Sequence, residues 1–274
     1  MVKELFRFLR QPELQSPSLV VGWSGDAGKL GLKVVDYLNQ KLGGQSFNEI
    51  ELIDFFQLGG VTVEDNVIQF PEAKFSICQR NNLVIFKSEH PYYEYYKFLN
   101  SVLDMAEYHC RVNELYTIGG MISLSAHTVP RELISTVNSP EMKKCLSKYD
   151  LRVGGDYQTP PDQRPTLNSF LLWLAKKRDI PGVTLWVPIP FYLVTVGDPM
   201  AQKKLLEFFD ARFDLKIDFS DLDIKIKNQN EKMTQIRTRL PEIDDYIRRL
   251  ESNISLSEEE NEKLVKEIEE LFNN

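Results

Sequence analysis

The sequence predicts an α/β fold: a mixed sheet sandwiched by helices, followed by a C-terminal helical hairpin. Three observations carry that prediction. The chain opens with an apolar strand that runs through a glycine turn into an amphipathic helix, over residues 18–42. Short hydrophobic strands then alternate with amphipathic helices as far as Phe213. Beyond Lys216 the strand pattern stops and a helical repeat of apolar residues replaces it.

Ser18 to Gly25 reads Ser-Leu-Val-Val-Gly-Trp-Ser-Gly, a buried-strand run that halts at glycine. Leu30, Val34, Tyr37, Leu38 and Lys41 follow at helical spacing. Residues 50–56 have strand character, 61–70 and 73–79 alternate like a hairpin around Pro71, and 82–86 is a short buried strand. An amphipathic helix is expected over 91–108 from Tyr95, Phe98, Leu99, Val102, Leu103 and Ala106, with an apolar strand over 114–119 after it. Helices are expected at 140–148 and 167–177, and a strand at 183–188. Residues 154–165 are dense in turn formers and predict a long loop. The last helix of this body starts at Pro199, with Asp198 as its N-cap, and ends by Phe213.

The composition shift divides the chain into an α/β body, 1–215, and a helical appendage, 216–274. The appendage has no Gly or Trp and carries −5 of the net charge of −7. Met233, Ile236, Leu240, Ile243, Ile247, Leu250 and Ile254 form a heptad seam of coiled-coil type, which Pro241 is expected to kink. Ser257 and Glu260 form a capping box ahead of a second seam, Leu264, Ile268 and Leu271. Such seams pack within the chain, within its own oligomer, or on a dedicated partner.

The acidic balance, 33 Lys+Arg against 40 Asp+Glu, lacks the basic excess of a nucleic-acid footprint. No apolar run suits a signal peptide or a spanning helix, so no membrane association is expected. Three widely spaced cysteines, Cys78, Cys110 and Cys145, fit neither a disulfide framework nor a zinc ribbon; they read as buried free thiols of a cytoplasmic protein.

Gly22, Gly25, Gly28 and Gly31 recur every third residue across the strand-to-helix turn. The spacing fails the dinucleotide fingerprint. Trp23 and Leu30 break the phosphate-loop pattern, and Asp26 breaks the nucleophile elbow. The glycines therefore read either as close-packing positions or, with Asp26, as part of an anion site at a helix start. Lys87-Ser-Glu-His-Pro91 ends a predicted strand, where clefts of open sheets form; Ser88 or Glu89 starting the next helix is the other reading. Ser123, Ser125 and His127, after Gly119-Gly120, offer a hydroxyl and a base without a third member. The tyrosines of 91–96 read as core or interface packing. The ligand-binding candidates are therefore Gly25, Asp26, Gly28, Glu89, Gly119 and Gly120; no catalytic residue, metal ligand or cofactor is expected.

In this order the motifs resemble the proteasome assembly chaperone 2 family. The resemblance rests on Leu19 to Gly31, on Ser88-Glu-His-Pro91, on Leu115-Tyr-Thr-Ile-Gly-Gly120 and on Val187-Pro-Ile-Pro-Phe-Tyr192 with Asp198-Pro199. It runs from about residue 16 to 215. It implies a fold like that of purine nucleoside phosphorylases and related hydrolases, and assemblies of identical or related subunits. In eukaryotic members it implies a chaperone for the proteasome α ring. The closing residues, Glu270-Leu-Phe-Asn-Asn274, depart from the hydrophobic-Tyr-any terminus with which some relatives dock on proteasome α subunits, so such docking is not expected. No phosphorylase catalytic residue carries over.

Two functions follow. One is a non-enzymatic, ATP-independent assembly chaperone or homo-oligomeric scaffold linked to proteasome assembly, with proteasome α subunits or another protein as partner. The alternative is a binder of nucleoside- or phosphate-type small molecules, or a hydrolase/phosphorylase-like enzyme, with a cleft at the strand ends.

Overall fold

A computed structural model describes residues 6–8, 14–51, 54–56, 62–153 and 166–273. The expected loop 154–165 lies outside them. The elements run β1 (Phe6–Phe8), β2 (Ser18–Trp23), α1 (Leu30–Leu42), β3 (Gln45–Ile50), β4 (Thr62–Glu64), β5 (Val67–Gln69), β6 (Ala73–Cys78) and β7 (Leu83–Ser88). Then come α2 (Tyr95–Asp104), β8 (Glu114–Ser123), β9 (Ile134–Val137), α3 (Pro140–Leu146), β10 (Arg152–Val153), α4 (Leu167–Lys177), β11 (Gly182–Pro190) and α5 (Pro199–Phe213). Three helices close the chain: α6 (Ser220–Arg239), α7 (Pro241–Glu251) and α8 (Glu258–Asn273).

Among the described residues nine strands form one mixed sheet in the order β1-β3-β6-β7-β2-β8-β11-β9-β10. The centre, β7-β2-β8, is parallel and the β1-β3-β6-β7 side is antiparallel. The predicted α/β class with C-terminal helices is what the chain adopts. Compactness separates two units: 1–25, 31–119 and 134–185 in one, and 26–30, 120–133 and 186–274 in the other. The chain crosses between them within β8 and β11. These units do not coincide with the sequence-based segments 1–215 and 216–274, because the tail helices cluster with 186–215.

In unit 1 the core is aromatic. Phe86 lies 4.3 Å from Phe75 and 5.6 Å, edge-on, from Trp23, and Phe98 meets Phe55 edge-on at 5.1 Å. Trp23 is buried, so its indole N–H needs an acceptor; it donates to Asn168 Oδ1 at 2.5 Å, and Asn168 in turn donates to the Ile118 carbonyl. Gly22 in β2 meets the first turn of α1 backbone to backbone. A Cβ there would lie 2.4 Å from the Gly31 carbonyl oxygen. The glycine repeat thus serves close packing here, and Gly22→Ala is expected to cost about 3 kcal/mol or more in denaturant unfolding, because backbone cannot move aside as a side chain does.

Several sequence expectations are corrected. The strand placed at 50–56 is β3, at 45–50. Gly43 at φ 65° ends α1 and the chain pairs with β6 almost at once, while the polar letters of Gln-Ser-Phe-Asn-Glu-Ile hide a strand that buries Phe47, Asn48 and Ile50. The hairpin turns at Asp65-Asn66, both with positive φ as a tight two-residue turn requires, and not at Pro71. It stands apart as β4-β5, while β6 joins the main sheet. Cys78 and Cys110 are buried free thiols, burial raising both to about 12, whereas Cys145 is exposed.

In unit 2, α5 begins as expected: the Asp198 carboxylate accepts from the Ala201 amide at 3.0 Å, with Pro199 in the first turn. In the tail a break falls at Pro241, in the first turn of α7. Proline biases its predecessor to extended backbone, so Leu240, at φ −123° and ψ 95°, divides α6 from α7 instead of forming a kink within one helix. The seam survives: Met233, Ile236, Ile243, Ile247 and Leu250 are buried, while Ile254, past the end of α7, is exposed. The capping box is formed, with Glu260 N–H on Ser257 Oγ at 3.3 Å and Ser257 N–H on Glu260 Oε2 at 2.7 Å.

Candidate functional site

Of the six ligand candidates, Gly25, Glu89 and Gly119 belong to unit 1, and Asp26, Gly28 and Gly120 to unit 2. In unit 1, Gly25 is required by contact: its Cβ would lie 2.5 Å from the His90 ring. His90 is fixed on both sides, its amide donating to Ser24 Oγ at 2.9 Å and its Nδ1 lying 2.8 Å from the Pro91 carbonyl. A carbonyl only accepts, so Nδ1 carries the proton. The amide of half-buried Glu89 donates to the Glu72 carbonyl at 3.0 Å. Neither Ser88 nor Glu89 starts the next helix. Ser88 Oγ donates to the Glu89 carbonyl, the amides of Tyr92 and Tyr93 go to the Phe55 carbonyl, and α2 begins only after Glu94, at φ 51°. Gly119 is buried within β8.

In unit 2, the Asp26 carboxylate accepts from the Gly120 amide at 2.6 Å. That carboxylate takes the kind of backbone donor an anionic ligand would use. Gly28 adopts φ 70°, and a Cβ on Gly120 would stand 2.3 Å from the Ala27 carbonyl oxygen. The turn at 26–28 is thus held against the end of β8 by backbone contacts.

Ser123 and Ser125 bond to each other at 2.8 Å, and His127 has a different partner. Its amide donates to the Tyr192 hydroxyl at 2.6 Å, and its Nδ1 lies 2.9 Å from the same oxygen. Burial raises the Tyr192 pKa, so the hydroxyl is protonated and can donate to Nδ1 while accepting the backbone N–H. His127 is lowered to about 4, first by burial and then by the positive charges of Arg237 and Arg131. A neutral imidazole whose Nδ1 is committed to a tyrosine holds the chain in place.

Four residues on, Arg131 Nε donates to Asp198 Oδ2 at 2.6 Å, with the two side chains 4% and 0% exposed. The same guanidinium donates to the Val129 carbonyl. Thr128 Oγ1 donates to Glu251 of α7 at 3.1 Å, and Arg237 of α6 binds both Glu251 and Asp244 at 2.7 Å. Hydrogen bonds from Arg237 and Thr128 hold the Glu251 carboxyl below its ordinary range. Segment 127–131 is therefore fastened to Tyr192, to the start of α5 and to the tail helices. The sequence singles out His127, Tyr192 and Asp198-Pro199 separately, and carries no signal for Arg131 or for their coming together.

Among the described residues no group of three or more His, Cys, Asp and Glu is arranged to hold a metal ion, and no helix is long and apolar enough to cross a membrane.

A model of the PAC2 family matches residues 19–237, spanning every element from β2 into α6. The chain belongs to the PAC2 family. Three solved structures with this fold are a protein of unknown function from Corynebacterium glutamicum, a proteasome-assembly chaperone homologue from Mycobacterium tuberculosis, and PbaB, an archaeal proteasome activator from Pyrococcus furiosus. The first superimposes with a TM-score of 0.76 at 18% identity, covering 91% of this chain and 96% of the other. The second gives 0.69 at 18%, covering 84% and 99%. For PbaB the values are 0.68 and 19%, covering 85% and 98%. No curated protein matches. Within the PAC2 match lie both His127–Tyr192 and Arg131–Asp198, so the resemblance motif ending in Tyr192 and Asp198-Pro199 supplies the acceptors that anchor segment 127–131.

Proposed function

We propose that this PAC2 protein is a non-enzymatic assembly chaperone or scaffold that holds other proteins, proteasome α subunits first among them. The observation that carries the reading is family membership together with structural relatives described as a proteasome activator and a proteasome-assembly chaperone homologue. The polar geometry supports it. His127, the base that the sequence paired with a serine, is bonded to Tyr192 instead, and Asp26 takes the Gly120 amide. Tyrosines at 92, 93 and 96 and Trp173 are about half exposed or more, which is the composition of protein-binding surfaces.

Native mass spectrometry of the full chain mixed with proteasome α subunits tests the proposal. A complex of defined stoichiometry, formed without nucleotide, is expected. Failure to bind α subunits in any assembly state overturns it. Removing 216–274 is the wrong control, because it would strip the contacts of α5 with α6 and leave Arg131 beside an opened unit; point variants on exposed positions avoid this.

A further inference from the structure

We propose that Asn48 binds an internal water molecule at the bulge of β3, inside unit 1. The proposal does not rest on the proteasome reading.

Asn48 is 0% exposed, and among the described residues neither its Oδ1 nor its Nδ2 has a hydrogen-bond partner. A carboxamide carries two donor hydrogens and an acceptor oxygen, so the whole polar end of this side chain is unmet by protein. Buried amides are ordinarily paired. Asn168 in the same unit shows the ordinary case, since it accepts from Trp23 Nε1 and donates to the Ile118 carbonyl.

The register of the strand explains why an amide stands there. β3 pairs antiparallel with β6, Ser46 opposite Ser76 but Asn48 opposite Phe75, so Phe47 is an extra residue in β3. Beyond the bulge Glu49 lies opposite Lys74, 3.7 Å from its ammonium, and Ile50 returns to the core at 2% exposed. Without the bulge, the register set by Ser46 would place Phe47 opposite Phe75, Asn48 opposite Lys74 and Glu49 opposite Ala73. Asn48 would then leave the core face. Glu49, however, would enter it beside buried Ala73, and Ile50 would be turned out. Burying an unpaired carboxylate costs far more than burying an amide. The inward Asn48 is therefore the lesser cost of a register that suits both of its neighbours, and a slip of the strand does not relieve it.

What relieves it is a molecule small enough to enter a packed core and able to donate and accept at once. The surroundings select for an uncharged one: among the described residues of unit 1 no Asp, Glu, Lys, Arg or His is buried, so nothing there would balance an ion. Phe47 and Phe75, with rings 6.0 Å apart, crowd the same face and leave no place for a larger ligand. A bulge locally opens the ladder and leaves the extra residue out of the regular pairing, so backbone groups of Phe47 stand beside the amide as further partners. A water bonded to the amide and to that backbone has the two to four polar contacts that an internal water requires.

The full chain tests this in two ways. A crystal structure that resolves ordered solvent is expected to show water within hydrogen-bond distance of Asn48 Oδ1 or Nδ2, and the side-chain amide hydrogens are expected to show NMR cross-relaxation with a long-lived water. In solution, water relaxation dispersion counts such waters, and Asn48→Leu, which fills the site with carbon, is expected to lose about one of them while still unfolding cooperatively. An amide with no water beside it, an amide bonded to a protein group, density larger than water, or an unchanged count in folded Asn48→Leu overturns the proposal. Should Asn48→Leu fail to fold, the crystal and the cross-relaxation of the parent chain decide the matter alone.

Discussion

Asp198→Ala is expected to be the most damaging single substitution outside the aromatic core, lowering stability by about 3–5 kcal/mol. Its carboxylate does two jobs at once: Oδ1 caps α5 at the Ala201 amide and Oδ2 pairs with Arg131 Nε. Loss of the cap alone costs about 1 kcal/mol. The larger part comes from Arg131, whose side chain is only 4% exposed and which would be left charged with no carboxylate beside it. For a chain of this size each kcal/mol moves the midpoint by roughly 2–4 °C, so a fall of about 10 °C in a thermal melt is the readout. The cause can be separated from the cap. Asp198→Ser keeps a capping oxygen and should still lose most of the stability, whereas Asp198→Ser with Arg131→Met removes the orphaned charge and should recover most of it. Were the double variant as unstable as Asp198→Ala, the ion pair would not be the source of the loss.

The same residues show what could be read in the sequence and what could not. Asp198 before Pro199 announced a helix start because capping is local: the carboxylate and the amide it accepts are three residues apart. Ser257 and Glu260 were legible for the same reason. The central strands 18–23 and 83–88 were legible because strands buried on both faces are written in unbroken apolar letters. β3 was misplaced because it buries an asparagine and a phenylalanine among polar neighbours. From sequence the break at Leu240 reads as a kink, since a heptad seam continues through Pro241 and periodicity alone does not report a single extended residue.

The candidate site was harder still. Arg131 stands 67 positions from Asp198, and His127 is 65 from Tyr192. Nothing in local spacing joins them, so in the sequence His127 reads as a base beside Ser123 and Ser125 without a third member. The glycines were legible as glycines, but their reason was not. Whether Gly22 and Gly120 approach a ligand or a neighbouring strand and turn depends on which backbone faces them, and in both cases it is the chain's own carbonyl oxygen.

Stability is expected to fall as pH drops from about 6.5 toward 4, and His127 is the residue that sets this window. Its folded-state pKa, about 4, lies below the ordinary value of 6.5, so between those limits the unfolded chain holds a proton that the folded chain refuses. Stability is therefore complete above the upper limit and declines by up to about 1.4 kcal/mol per pH unit below it, a total on the order of 3 kcal/mol. Burial is the first cause and the Arg237 and Arg131 charges the next, while Glu251 opposes them. Geometry adds a reason. Protonated Nδ1 would present a hydrogen to a Tyr192 hydroxyl that already accepts the His127 amide and points its own hydrogen at the ring. Glu251, whose folded-state pKa is lowered by Arg237, contributes with the same sign at more acid pH, losing its share as pH falls through its folded value. His127→Gln can still accept from Tyr192 but cannot titrate. Its stability, followed by urea unfolding at successive pH values, should be nearly flat where the parent declines. An equal slope in both proteins would place the proton uptake elsewhere. If the slope does belong to His127, acid acts first on segment 127–131, and amide exchange there and in α7, which holds Glu251, should rise before exchange in β2 and β7 of unit 1.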